Sequence, residues 1–312
     1  DSLLHIARKA ADRIVEDFCN AGPQGTDGHE EIELALIRLY RLTGEEAYLA
    51  QAQRFIERRG RIRGFAWAIW RQNTRVTERR KIVKELRQAY ITGHPEHAIF
   101  KLPPGNKSAQ PPNSQLRSKL SALSGKYFQQ HTRFERQTVP VGHAVRFGYL
   151  ETAAAMLVRE AAVLENRPTG EGGAKIRPGT TGYMRAMEQA WERMVTRRMY
   201  VTGGLGSQPG LEGFGSDYDL NPEYAYAETC AALASLFWNW EMALISGEAK
   251  YSDLFEWQLY NAAAAGLGLS GESYLYNNPL ACRGGVTRKA WYAVPCCPSN
   301  LSRTWADLGR YI

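Results

Sequence analysis

The sequence contains no run of 18 or more apolar residues, which excludes a helix able to cross a bilayer. Clean alternation of apolar and polar residues is scarce, which argues against a β fold. Cysteine is also sparse. Five occur in 312 residues, at 19, 230, 282, 296 and 297, and an odd number with one adjacent pair is a poor disulfide framework. No C-x₂-C pair is present, so a zinc finger is excluded, and no fixed period marks a repeat architecture. A basic segment leading into an apolar one is missing from the start, where Asp1-Ser2-Leu3-Leu4-His5-Ile6-Ala7-Arg8-Lys9 reads as a helix and not as a signal peptide. The chain begins without Met and stops on the amphipathic stretch Trp305–Ile312 with no breaking signal after it, so it reads as a piece of a longer protein. Free thiols favour a reducing compartment, and a cytoplasmic protein is expected, with secretion left open because a metal-capped thiol survives elsewhere.

What is present is enough for a packed core: 44% of the residues are apolar, consistent with one large domain or two modest ones. Apolar positions recur at helical spacing over about 2–18, 30–43, 46–58, 144–164, 184–198, 224–246 and 252–265. Turns separate several of these spans, at Thr43-Gly44-Glu45, Arg167-Pro168-Thr169-Gly170 and Thr202-Gly203-Gly204-Leu205-Gly206. The pattern predicts a mostly α fold of paired helices, either an α/α toroid or a helical bundle. The Pro-rich stretch 102–114 predicts an exposed loop.

The net charge of +7 is local in origin. Between Arg54 and Arg87 stand twelve Lys/Arg against three Glu, giving +9 there and −2 elsewhere. Such a block is either a solvated helix face or a contact for a polyanion. Trp67 and Trp70 within it suit stacking on a ring or burial in a core.

Between positions 212 and 297 the chain concentrates groups that carry chemistry. Glu228-Thr229-Cys230 and Pro295-Cys296-Cys297-Pro298 supply one carboxylate and three thiols, a tetrahedral ligand count with a soft donor set that suits Zn²⁺. Buried structural cysteines are the competing reading, and Cys19 and Cys282 are assigned to it. Adjacent ligands at 296 and 297 imply an unusual backbone, fixed by Pro295 and Pro298. A thiolate beside a carboxylic acid is a plausible covalent catalyst, although four protein ligands with no open position also describe a structural site.

Several segments together resemble glycoside hydrolase family 127: Arg198-Met199-Tyr200-Val201-Thr202-Gly203-Gly204-Leu205-Gly206-Ser207, Glu212 with Phe214, Asp217-Tyr218-Asp219-Leu220, Tyr226-Ala227-Glu228-Thr229-Cys230, Asn278-Pro279-Leu280 and Cys296-Cys297-Pro298-Ser299-Asn300. Gly28-His29-Glu30-Glu31-Ile32-Glu33-Leu34-Ala35-Leu36 and Val141-Gly142-His143-Ala144-Val145-Arg146 extend the resemblance, which covers about 28–60 and 127–312. It implies a six-fold α/α barrel catalytic domain over 1–312, incomplete here, with a basic, Pro-rich insertion at about 61–125. It also implies β-L-arabinofuranosidase activity with retention, and zinc held by Glu228, Cys230, Cys296 and Cys297. Cys296 is then the nucleophile and Glu212 the general acid/base, one of the two carboxylates of an ordinary retaining glycosidase being replaced by a thiolate. His29 and His143 are expected on the furanose hydroxyls, with Tyr276 a weaker substrate contact and His131 without an assigned role.

Family members carry more barrel sequence before the first motif and β-rich domains after the last. The expected partner is an L-arabinofuranose-containing glycan, with an acidic pectic glycan and a homodimer as further expectations and with no nucleic acid and no membrane. Two other readings remain: hydrolysis of a carboxylated deoxy-pentofuranoside from pectin, and an inactive carbohydrate-binding α/α protein with structural zinc.

Overall fold

A computed structural model describes residues 2–93, 113–165, 180–282 and 284–311. Among the described residues ten α-helices carry the fold: α1 (Ser2–Phe18), α2 (Glu31–Thr43), α3 (Glu46–Arg58), α4 (Phe65–Gly93), α5 (Ser114–Leu123), α6 (Ala144–Glu165), α7 (Thr181–Arg197), α8 (Thr229–Ser246), α9 (Ala249–Gln258) and α10 (Cys296–Ala306). Among the described residues no strand forms; β pairing is limited to isolated bridges. The Pro-rich stretch at 102–112 and the turn Arg167-Pro168-Thr169-Gly170 lie outside the described residues.

Helix α3 illustrates how the apolar spacing becomes structure. Tyr48, Leu49, Ala52, Phe55 and Ile56 fall at helical intervals, and all five are buried on one face. The turn before it is set by Gly44, whose left-handed φ of 73° closes α2 while its N–H donates to Tyr40 O at 2.7 Å. Helices α2 and α3 pack together as a pair, and α2 leans on α6.

Helices α6 and α8 form the centre. Both are buried almost all round, which is why their sequences show little amphipathic bias. Small residues such as Ala153, Ala154, Ala231 and Ala234 let the pair approach until Thr152 Oγ1 donates to Ala234 O at 3.2 Å. Trp238 fills the space beside them with its ring 5.7 Å from Phe147. Helices α9 and α10 both pack on α8.

Three expected helices begin elsewhere; the span expected from 184 starts at Thr181. The span expected from 224 starts at Thr229, because Tyr226 N–H and Ala227 N–H both donate to Gly206 O (3.0 and 2.9 Å) and hold 224–228 as a loop. The span expected over 252–265 starts three residues earlier, at Ala249, and passes at Leu259–Ala263 into a π-helical turn. The described part of the basic, Pro-rich stretch 61–125 contributes α4 and α5. Near the start of α4 Phe65 packs against Phe128 (6.0 Å between ring centroids), while Trp67, Trp70, Ile82, Val83 and Leu86 are exposed.

Candidate active site

The site forms where three loops meet the N-termini of α8 and α10. Glu228 is the N-cap of α8 with an extended backbone, and it bridges to Asn277. Thr229 N–H donates to Tyr276 O at 2.9 Å, and Asn278 Nδ2 donates to Ala227 O and Thr229 Oγ1, each at 3.0 Å. These bonds fix the loop carrying Tyr276 to the start of α8. Cys230 then points inward from the first turn of α8.

Cys296 and Cys297 open α10, with Pro295 as N-cap and Pro298 in the first turn. The unusual backbone expected for this pair is absent. Proline belongs in a first helical turn, where its missing N–H has no carbonyl to serve, so adjacent cysteines are presented by ordinary helix geometry.

One donor atom each from Glu228, Cys230, Cys296 and Cys297 lies within 4.8 Å of the others. Glu228 Oε1 is 3.6 Å from Cys297 Sγ and 3.8 Å from Cys296 Sγ, and Glu228 Oε2 is buried without a partner. Tetrahedral ligands bonded at 2.0–2.3 Å stand about 3.3–3.8 Å apart, so the cluster fits a metal ion with slight contraction. Burial, reinforced by the charges of Cys296 and Glu212, drives the Glu228 carboxyl well above its usual range. Burial likewise raises Cys297. Cys296 differs: hydrogen bonds from Cys230 and Cys297, outweighing its burial, pull it down to about 2, with Tyr276 Oη 2.9 Å away adding to them. Cys296 is half-buried and the other three ligands are buried.

Glu212 arrives from the opposite side. Its φ of 51° is a left-handed conformation rare for a glutamate, held because Ala144 N–H donates to Glu212 O (3.1 Å) and Phe214 N–H to Gly142 O (3.0 Å). Gly213 between them tolerates no side chain, since a Cβ there would stand 1.8 Å from Gly142 O. The same junction delivers His143, whose Nε2 lies 3.1 Å from Glu212 Oε2. Val145 N–H donates to His143 Nδ1 at 3.2 Å, so in the neutral ring the proton sits on Nε2 and is donated to Glu212. His143, Glu212 and Glu228 also have donor atoms within 4.8 Å of one another, which joins the two halves of the site.

His29 packs at a tilt against Tyr149, ring centroids 5.6 Å apart; the Tyr149 hydroxyl accepts from Asn300 Nδ2 (2.6 Å), and Asn300 Nδ2 also lies 3.2 Å from Cys230 Sγ. Burial, helped by Arg146, lowers His29 to about 4. The loop bearing it is anchored by charge: Arg59, buried at 2% side-chain exposure, pairs with Asp27, Glu30 (3.1 Å) and Glu33 (2.9 Å), and Arg146 reaches Gly28 O and Glu30. The residues singled out from sequence, His29, His143, Glu212, Glu228, Cys230, Tyr276, Cys296 and Cys297, are thus brought together. Burial, helped by Lys126, lowers His131 to about 4. Unassigned from sequence were Tyr226, which hydrogen-bonds Glu212, Tyr127, whose ring packs 5.4 Å from His143, and Asn300, Arg59 and Arg146. All but Tyr127 and Arg59 stood inside the quoted motifs without a role.

Fold and site together define an α/α-barrel protein with a buried Glu/Cys cluster able to hold a metal beside a carboxylate–imidazole pair. The chain belongs to the family described as "Beta-L-arabinofuranosidase, GH127 catalytic domain", whose profile matches residues 1–310. It is 32% identical, over 100% of its own length and 41% of the other's, to a non-reducing end beta-L-arabinofuranosidase of Bifidobacterium longum subsp. longum. A solved GH127 β-arabinofuranosidase superposes with a TM-score of 0.70 at 30% identity, covering 99% of this chain and 37% of that one. A GH127 β-L-arabinofuranosidase from Geobacillus stearothermophilus T6 gives 0.69 at 32%, covering 97% and 41%. The chain therefore spans about two fifths of the length of these relatives. No helix among the described residues is long and apolar enough to cross a membrane.

Proposed function

We propose that the chain is the catalytic part of a retaining glycosidase that cleaves β-L-arabinofuranosides, with Cys296 as nucleophile and Glu212 as general acid/base. The observation that carries this reading is the asymmetry of the cluster: Cys296 alone of its four residues is half-buried, with its thiolate favoured, and the Glu212–His143 pair adjoins Glu228 of the same cluster. The names of the relatives supply the sugar.

The proposed cofactor is zinc, held by Glu228, Cys230, Cys296 and Cys297; when bound, it keeps the thiols deprotonated and makes the Cys296 sulfur a better leaving group. In the first step Cys296 Sγ attacks the anomeric carbon while Glu212 gives its proton to the departing glycosidic oxygen. In the second, Glu212 takes a proton from water, which attacks the same carbon as the C–S bond breaks, so configuration is retained over two displacements. His143 donates through Nε2 to Glu212 and orients it, and His29, neutral because it is buried, bonds furanose hydroxyls in this reading, with Tyr276 a further substrate contact.

The reading is tested with zinc-replete protein and a panel of aryl furanosides, with and without a sugar carboxylate. Turnover of β-L-arabinofuranosides is expected to exceed that of the other substrates. Turnover confined to the carboxylated deoxy-pentofuranosides would replace the substrate, and intact zinc with no turnover at all would leave a carbohydrate-binding protein with a structural metal.

A further inference from the structure

Helix α10 carries more than two cysteines on its inner face. Residues three and four apart share one side of a helix, so Asn300, one turn beyond Cys296 and Cys297, looks the same way as they do. It is buried, and the reaction proposed above gives it no part.

Three groups surround the Asn300 amide. Arg303 Nε lies 2.6 Å from its Oδ1, Tyr149 Oη lies 2.6 Å from its Nδ2, and Cys230 Sγ lies 3.2 Å from the same nitrogen. Which end of an amide faces which neighbour is decided by the hydrogen-bond network, and here one neighbour has no choice. A guanidinium nitrogen only donates, so the atom against Arg303 is the oxygen, and the nitrogen faces Cys230 and Tyr149. Both of its protons are then committed, one to the tyrosine oxygen and one to the sulfur. Arg303 stiffens the arrangement, because its Nη2 also donates to Tyr149 Oη at 3.2 Å and pairs with Glu31 at 2.6 Å. Tyr149 and Cys230 are buried as deeply as Asn300, so these bonds are shielded from bulk water.

The N–H that reaches Cys230 crosses from α10 to α8, the two helices whose starts supply the cluster. A hydrogen bond to a ligand atom restrains it to one orientation and alters how much charge it gives to a metal, and groups that do this govern how tightly the ion is held. We propose that Asn300 is a positioning residue of the metal centre: locked by Arg303 and Tyr149, it donates to the Cys230 sulfur, holds that sulfur toward Glu228, Cys296 and Cys297, and draws charge from it. This role rests on the zinc proposed above.

Two variants separate the donor from the charge and size of the side chain. N300D keeps an oxygen for Arg303 and removes the N–H, and N300L keeps the volume and adds no charge. R303M, at a partly exposed position, leaves Asn300 in place without its lock. Reduced protein is titrated with Zn²⁺ against a chromophoric chelator and, separately, loaded with Co²⁺ for absorption spectroscopy. N300D and N300L are expected to bind Zn²⁺ roughly 10–100-fold more weakly than the native chain, and R303M to change in the same direction by less. In the two asparagine variants the thiolate-to-cobalt charge-transfer band is expected at longer wavelength, because a sulfur relieved of its donor gives up charge more readily. An asparagine that only supports the fold would leave that band in place. Equal melting temperatures of the metal-free proteins identify the variants whose folds are intact. Native affinity with an unmoved band in any folded variant overturns the proposal, and so does weakening confined to N300D, which would be repulsion by the added charge. Metal bound alike by the native chain and all variants removes the role of Asn300 and leaves the zinc. A native chain that binds neither ion removes the zinc and this role with it.

Discussion

A backbone hydrogen bond sets the tautomer of the His143 ring beside Glu212. Val145 N–H occupies His143 Nδ1, which leaves Nε2–H as the group facing Glu212, so His143 holds the carboxylate in place without competing for its proton in the neutral state. His29 is governed by burial instead. Its pKa falls from 6.5 to about 4, so the unfolded chain binds an extra proton between those values and the folded protein does not. The stabilisation is therefore complete above pH 6.5 and is lost as pH falls toward 4. Thermal melts across that window are expected to fall more steeply for the native chain than for His29→Asn, by an amount that corresponds to at most about 3 kcal/mol. Parallel curves for the two proteins would mean that His29 is more solvated than its surroundings indicate.

At the scale of elements, the site depends on a junction of loops. Gly142-His143 and Glu212-Gly213 are pinned to each other by paired backbone bonds, and the approach is so close that Gly213→Ala must push Glu212 and His143 apart. Activity is expected to drop roughly 100-fold with little change in metal content, because a displacement of about 1 Å at an acid/base carries that penalty. Full activity in Gly213→Ala would show that the junction does not position the pair. This junction was not legible in the sequence, where Glu212 reads as an exposed carboxylate on a glycine-rich loop; its partner lies 69 residues away and no spacing encodes the meeting. Tyr127, Tyr226 and Asn300 escaped for the same reason. What could be read were the features that local chemistry dictates: α3, whose apolar residues recur on one face, and the gathering of Glu228, Cys230, Cys296 and Cys297 into one cluster able to hold a metal. Helix α4 gives no apolar periodicity because its apolar residues form no continuous stripe, and only its charge, read as a solvated helix face or a polyanion contact, pointed to it. The strained backbone expected at Cys296-Cys297 failed because Pro298 was taken as a distortion when it sits where a helix begins.

For the molecule as a whole, the proposed metal is a folding element as well as a chemical one, since it joins the starts of α8 and α10 through four side chains. The reduced protein is expected to contain about one zinc per chain. Chelation should lower the melting temperature by roughly 5–10 °C, because a ligand bound to the folded state alone stabilises it by mass action. Cys230→Ser should reproduce both the loss of metal and the fall in melting temperature, whereas Cys282→Ser, at an exposed position away from the cluster, should do neither. A native chain free of zinc, with the same melting temperature before and after chelation, would remove the metal from the account. The central claim is the division of labour between Cys296 and Glu212, and mass spectrometry of the protein after reaction with a mechanism-based β-L-arabinofuranoside probe tests it most directly. The account predicts one glycosyl adduct, mapping to the peptide that carries Cys296 and absent from Cys296→Ser. An adduct on a carboxylate instead, in a Cys296→Ser protein that keeps its zinc and its activity, would contradict it.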